Sequence, residues 1–340
     1  MFVIAFLLIY NGLVRKEEKP DLEEEVLDTT LRPKRFSEYI GQEKAKEALR
    51  VYLKAAHLRN DVMEHILIYG PPGLGKTTLA HVVANEVGAE IKVTSGPAIE
   101  RSGDLVSILT SLEDGDIIFI DEIHRLNKIV EEVLYPAMED YAVDVVIGKG
   151  PSAKTLRVDL PRFTLIGATT RISLISAPMR DRFGILQNLN FYEDGEIEEI
   201  ISRSSKILNI HPDNESKKEI ATRSRKTPRV ANRLLKRVRD FASVYNANKI
   251  DLKSTLDSLQ KIGIDCRGLD EVDRRYLKTV LEKFNGGPVG VETIAAATSI
   301  DRETIEEVVE PYLMQIGFMK RTPRGRVITD RGRKHFRGSL

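Results

Sequence analysis

An α/β fold built on a parallel sheet, then a small helical domain, then a C-terminal unit of three helices and a hairpin: this is the architecture the sequence predicts. Three observations carry it. The apolar run His65-Ile66-Leu67-Ile68-Tyr69 leads into Gly70-Pro71-Pro72-Gly73-Leu74-Gly75-Lys76-Thr77, and residues 78–87 lead out as a helix stopped by Gly88. That is the strand–loop–helix setting in which G-x-x-x-x-G-K-[ST] wraps a phosphate. Asp116-Ile117-Ile118-Phe119-Ile120-Asp121-Glu122 is a second buried-strand signal, and it ends in two carboxylates. Open α/β sheets bind their ligands at the carboxyl ends of such strands. Finally, residues 193–263 carry no strand signal, and residues 264–340 run through helices, a Gly286-Gly287-Pro288 break and a basic hairpin.

In the phosphate loop the glycines let the backbone approach, and the following helix offers its positive end. Lys76 can reach the β- and γ-phosphates of a nucleoside triphosphate, and Thr77 can ligate Mg²⁺. Asp121 is placed to hold the Mg²⁺ water shell, and Glu122 to polarise the attacking water. A chance Gly-rich turn or a solvated acidic helix start would explain either stretch alone, but not the pair in order.

The chain of 340 residues is 41% hydrophobic and 30% charged, the composition of a soluble globular protein of two or three domains. Its net charge of +1 gives no global field for nucleic acid. Local charge does: residues 318–340 hold eight Lys/Arg, among them Lys320, Arg321, Arg324 and Arg326, against the single acid Asp330. One cysteine, Cys266, excludes an internal disulfide and a multi-cysteine metal site, fits a reducing cytosol, and reads as a buried apolar residue. Residues 1–10 are nearly all apolar, too short to span a membrane and without a signal peptide's basic lead-in. An upstream start codon, a peripheral anchor and a strand are open readings there, with disorder expected. The expected organisation is an extension at 1–28, a large nucleotide-binding domain at 29–192, a helical domain at 193–263 and a winged-helix domain at 264–340.

In order along the chain, a helix is expected over residues 43–58, with Ala45, Ala48, Leu49, Tyr52 and Leu53 on one face. Its place before the phosphate-loop strand sets residues 31–40 near a bound base. Residues 90–94 read as the next strand. Residues 142–160 read as a β-hairpin around Gly148-Lys149-Gly150-Pro151. Its Val145-Val146-Ile147 run either packs on its own domain or meets a partner. Residues 163–168 form a further core strand that delivers Thr169-Thr170-Arg171 to the same sheet edge. Arg180 and Arg182 follow, and an arginine here either completes a neighbour's site in trans or makes a surface salt bridge. His124 reads as a structural or coupling residue. Thr227-Pro228-Arg229 opens a basic helix, so Arg229 can point back to the nucleotide. Helices over 269–284, 291–297 and 301–316 and a hairpin over 318–329 make a winged-helix pattern. Arg321, Arg324 and Arg326 cluster toward the hairpin tip, which suits phosphate contact; a protein-docking winged helix is the alternative.

Together these stretches closely resemble the RuvB family, the bacterial Holliday-junction branch-migration motors of the AAA+ ATPases. The resemblance covers about residues 31–336. Its narrowest part is Asp121-Glu122-Ile123-His124 with Leu134-Tyr135-Pro136-Ala137-Met138-Glu139-Asp140-Tyr141. It implies a cytoplasmic ATP hydrolase that uses ATP and Mg²⁺ to translocate DNA in recombination, repair and the SOS response. It implies a homohexameric ring on double-stranded DNA at a Holliday junction, a RuvA-type partner, a RuvC-type resolvase, and no membrane. Gly73, Gly75, Lys76, Thr77 and Thr78 then bind phosphate and metal, and Asp121 and Glu122 form the Walker B pair. Thr169 resembles sensor 1, Arg182 the trans-acting finger and Arg229 sensor 2. Leu31, Arg32, Tyr192, Glu139, Asp140 and Tyr141 match nucleotide-pocket positions. The 142–160 hairpin matches the RuvA-contacting element, and Arg302, Arg321 and Arg326 match DNA-contacting positions. The chain departs from the pattern in its apolar first decade and at Lys226, where the family commonly has Gly. Two rival readings remain. A sliding-clamp loader shares the core but usually ends in a helical collar, and an ATP-gated DNA-binding switch would not need both Glu122 and Arg182.

Overall fold

The computed structural model describes residues 29–147, 154–246 and 249–338. The expected 1–28 extension and the 148–151 turn lie outside the described residues. The chain divides into two compact units, Met1–Arg32 and Pro33–Leu340. The described end of the first is a helical turn in which Arg32 N donates to Thr29 O at 3.2 Å.

The second unit begins with α1 (Glu43–Arg59), β1 (Ile66–Tyr69), α2 (Lys76–Val87), β2 (Ile91–Ser95), α3 (Ser102–Thr110), β3 (Ile117–Asp121) and α4 (Lys128–Glu139). The antiparallel hairpin of β4 (Ala142–Ile147) and β5 (Lys154–Asp159) interrupts this alternation. Then come β6 (Thr164–Thr169), α5 (Ala177–Arg180) and β7 (Ile185–Asn188). The sheet order is β2-β3-β6-β1-β7, every pairing parallel. Helices cover both faces of a parallel sheet, which is why its strands read as unbroken apolar runs. Successive side chains part company: Ile66, Ile68, Ile117 and Phe119 enter one core, Leu67, Ile118 and Ile120 the other. The edge strand β7 was not legible as such. Leu186 is 46% exposed between the inward Ile185 and Gln187, so no apolar run marks it.

The helical domain is α6 (Asp194–Ile207), α7 (Asn214–Thr222), α8 (Pro228–Tyr245) and α9 (Leu252–Lys261). Ile197, Ile201, Leu234 and Val238 extend the first core into it. The last part has its own core, around Leu277, Ile294, Ile305 and Phe318. It contains α10 (Glu271–Lys283), α11 (Val291–Thr298), α12 (Arg302–Thr304), a π-helical stretch Ile305–Val309, α13 (Glu310–Gln315), the hairpin β8 (Met319–Thr322) and β9 (Gly325–Ile328), and α14 (Asp330–Gly338). Gly325 is at φ +130°, where a Cβ would fall 2.5 Å from Val289 O, so the wing needs glycine to close. Cys266 corrects the expectation of burial: it is exposed. It sits in a polar turn whose Arg267 and Leu269 N–H groups both donate to Asp265 Oδ1, at 2.7 and 2.8 Å.

Candidate active site

Because β1, β3 and β6 run parallel, their carboxyl ends share one edge. Tyr69 lies opposite Thr169, and Gly70 N donates to Thr169 O at 3.2 Å. The loop after β1 turns through Gly73 at φ +80° and Gly75 at φ +94°. A Cβ on Gly75 would fall 2.8 Å from Tyr39 Oη, so only glycine fits there. Lys76 opens α2 and is buried; its Nζ donates to Gly70 O at 2.8 Å and Pro71 O at 2.9 Å. Burial pushes its ammonium down to about 8; the Asp121 carboxylate opposes this, Arg229 adds to it, and Glu307 and Glu122 oppose it.

Thr77 Oγ1 donates to Asp121 Oδ2 at 3.4 Å. A hydroxyl beside a carboxylate fits Mg²⁺, which keeps waters and phosphate oxygens as its other ligands. No group of three or more His, Cys, Asp or Glu able to hold a metal occurs among the described residues. Glu122, just past β3, is left-handed at φ +48°, and its carboxylate pairs with Arg125 at 3.0 Å. Backbone strain of this kind gathers at functional sites. Thr169 is buried; its Oγ1 accepts from Arg171 N at 2.9 Å and shares a hydrogen bond of 3.0 Å with His124 Nδ1. Burial holds His124 below the ordinary histidine value.

Arg229 approaches the loop from α8, its N donating to Gly73 O at 3.4 Å. The turn before it carries Arg225 and Lys226, both left-handed at φ +56°. Tyr192 is buried with its hydroxyl donating to Leu74 O at 3.3 Å, and burial pushes it up to about 12. Tyr39, which sequence reasoning did not single out, accepts from the same hydroxyl at 3.3 Å. Leu31 and Arg32 end the separate first unit.

Arg182 belongs to a second cluster. It pairs with Glu139 at 3.0 Å, donates to Pro178 O at 2.7 Å and lies over the Tyr135 ring at 4.2 Å. Its Nε is buried with no hydrogen-bond partner among the described residues. Asp140 pairs with Arg157 at 2.8 Å, and Tyr141 packs edge-on against Phe163. Thus Glu139, Asp140 and Tyr141 are grouped with Arg182 and the hairpin, and these partners lie outside the phosphate loop.

On the winged helix, Arg302 pairs with Glu292 at 2.9 Å and Glu306 at 3.1 Å. Arg321 and Arg326 face each other across the wing. Both hold the fully buried Glu310, at 2.6 and 2.9 Å. They are therefore braced from below, with Arg324 in the turn between their strands.

Three family models match in succession: the Holliday junction DNA helicase RuvB P-loop domain over residues 31–189, the RuvB AAA lid domain over 192–265, and the RuvB C-terminal winged helix domain over 266–337. The chain belongs to the RuvB family. The Holliday junction branch migration complex subunit RuvB of Clostridium kluyveri is 57% identical over 307 residues, 90% of this chain and 88% of that protein. The subunit of the same name from Fusobacterium nucleatum is 56% identical over 311 residues, 92% of this chain and 94% of its own. The solved structure of the Thermotoga maritima RuvB Holliday junction branch migration motor is 48% identical, with a TM-score of 0.83 over 91% of this chain and 98% of that one. The expected AAA+ P-loop core, helical lid and winged helix are the fold of this RuvB-family chain, and nucleotide binding goes with its P-loop domain. No helix among the described residues is long and apolar enough to cross a membrane.

Proposed function

We propose that this RuvB-family chain is an ATP-hydrolysing motor that drives branch migration of Holliday junctions in recombination and repair. The observation that carries the reading is the convergence of Lys76, Thr77, Asp121, Glu122, Thr169 and Arg229 on one sheet edge, in a chain that ends in a basic winged helix. The relatives are named as subunits of a Holliday junction branch migration complex, which supports a DNA junction as substrate and a multi-protein assembly.

In this reading Gly73, Gly75, Lys76, Thr77 and Thr78 cradle the phosphates, with Tyr192 at the rest of the nucleotide. Thr77 and Asp121 would hold Mg²⁺, which supplies charge neutralisation at the phosphate oxygens. Glu122 turns from Arg125 to orient the attacking water. Thr169 and Arg229 register the γ-phosphate, one from the core and one from the lid. Glu139, Asp140 and Tyr141, grouped with Arg182, face the nucleotide of a neighbour in a hexameric ring. The unpartnered Arg182 Nε supports that assignment, since a buried donor without an acceptor is costly. Arg302, Arg321 and Arg326 contact DNA phosphates, the 142–160 hairpin meets a RuvA-type partner, a RuvC-type resolvase joins at the junction, and the protein works in the cytoplasm.

The test is dissociation of a synthetic four-way junction with ATP, Mg²⁺ and a RuvA-type partner, beside Lys76→Ala. Strand exchange that needs both ATP and Lys76 is expected. Hydrolysis without junction movement would overturn the motor and favour the loader or the switch.

A further inference from the structure

One acidic helical run on the winged helix looks two ways. Arg302 and Glu306, four residues apart, pair with each other, and Glu306 also reaches Arg326 at 2.9 Å. Glu303 and Glu307, also four apart, face the ATPase sheet instead. Glu307 makes an ion pair with Arg171 and accepts from Thr170 Oγ1 at 3.3 Å, while Glu303 lies 3.8 Å from Arg171. Thr170 and Arg171 directly follow Thr169, and Arg171 N is bonded to the Thr169 hydroxyl. The Glu307 carboxylate is only partly exposed; burial raises its proton affinity, with Arg171 opposing. Its charge is felt at Lys76 and opposed by that of Glu122. A carboxylate from the DNA-binding domain thus lies within electrostatic reach of the place where the terminal phosphate of ATP would bring its charge. Two anions cannot share such a site without cost, because a low-dielectric setting screens them poorly.

We propose that Glu307 is a positioning residue that competes with the ATP γ-phosphate for the Thr170–Arg171 edge, so that γ-phosphate binding releases the winged helix from the ATPase sheet. By reciprocity, DNA that binds the released winged helix better than the docked one, through cations such as Arg302, strengthens the binding of ATP over ADP. A ligand shifts this equilibrium only by its differential affinity for the docked and released states, and ADP, lacking the third phosphate, has little. The proposal rests on the nucleotide reading above.

The experiment uses the full chain. Affinities for ADP and for a non-hydrolysable ATP analogue are measured for the parent, Glu307→Gln, Glu307→Asp and Lys76→Ala. In Glu307→Gln the preference for the analogue over ADP should rise about fivefold, the size of one partly exposed charged contact. ADP affinity should stay near the parental value, and Glu307→Asp should keep the parental preference. An unchanged or lower preference in Glu307→Gln overturns the proposal. A second measurement needs no variant: amide exchange over residues 303–309 of the parent should rise several-fold with the analogue and not with ADP. Equal exchange with both nucleotides also overturns it. If the parent binds neither nucleotide, or Lys76→Ala binds as the parent does, the nucleotide reading itself falls and takes this proposal with it. Normal binding with an unchanged preference defeats only the role of Glu307.

Discussion

Lys76 sets the pH behaviour of the nucleotide site. Its ammonium, pushed down to about 8 by burial, gives up its proton well before a solvated lysine would. ATP affinity should therefore fall as pH rises through about 8, and binding above that pH should take up a proton. Calorimetry at pH 8.5 in two buffers of different ionisation heat checks this. The sign for stability is opposite: between about 8 and the ordinary lysine range the unfolded chain binds more protons, so this group's contribution rises with pH. Glu122→Gln should retain ATP and lower turnover by about a hundredfold or more, the scale of general-base loss. Turnover at the parental rate would reassign the water-positioning role. These residues were legible in the sequence because the chemistry fixes their spacing: a glycine loop before Lys76-Thr77, two acids ending an apolar strand. Glu307 was not legible. It meets Thr170 across 137 positions, and only the docking of two domains brings them together.

At the scale of elements, the wing is held by one buried acid. Glu310 accepts from Tyr276 at 3.1 Å and pairs with both Arg321 and Arg326. Glu310→Ala removes the shared partner and should destabilise the winged helix by about 3 kcal/mol, as breaking a buried pair does. Thermal unfolding followed in the Tyr276 environment reads this loss. Arg302→Ala, on the exposed side of the same helical run, should leave that transition in place and weaken DNA binding. Sequence alone read Arg321 and Arg326 as hairpin-tip arginines suited to phosphate contact and did not reveal their buried partner, because nothing distinguishes Glu310 from the acids at 303, 306 and 307 before it. The wing itself was legible, since Gly325 and the flanking strand residues mark a tight hairpin. The helix α14 after it was not, because it is largely basic and polar and Phe336 is its single large apolar residue.

At the scale of the whole molecule, the lid and the winged helix are clamped at Arg225. This buried guanidinium pairs with Asp270 at 2.8 Å and with Asp273, donates to Gly268 O at 3.0 Å and lies 5.6 Å over the Tyr312 ring. Arg225→Ala strands the buried Asp273 and should cost about 3 kcal/mol. It should also split a single thermal transition into two, as the winged helix unfolds apart from the ATPase core. DNA binding through wing arginines should be sequence-independent, and Arg324→Ala should lower the slope of affinity against salt by about one contact. The order of domains was legible from where strand signals stop and basic charge begins. The clamp was not, because nothing in the sequence around Arg225 sets it apart from the other lid cations or names its partners.

The left-handed backbone angles of Arg225 and Lys226 bear on how the machine transmits force. A residue with a side chain, held at φ +56°, has a narrow torsional well; glycine at the same place would drift between both halves of its range. With Arg225 and Lys226 in succession, the joint leading to Arg229 has low compliance. Bending it takes more work per degree than a glycine joint would. Under the proposed function, a displacement begun at the γ-phosphate would reach the winged helix through Arg225 and its aspartates, with little of the stroke dissipated as slack in the turn.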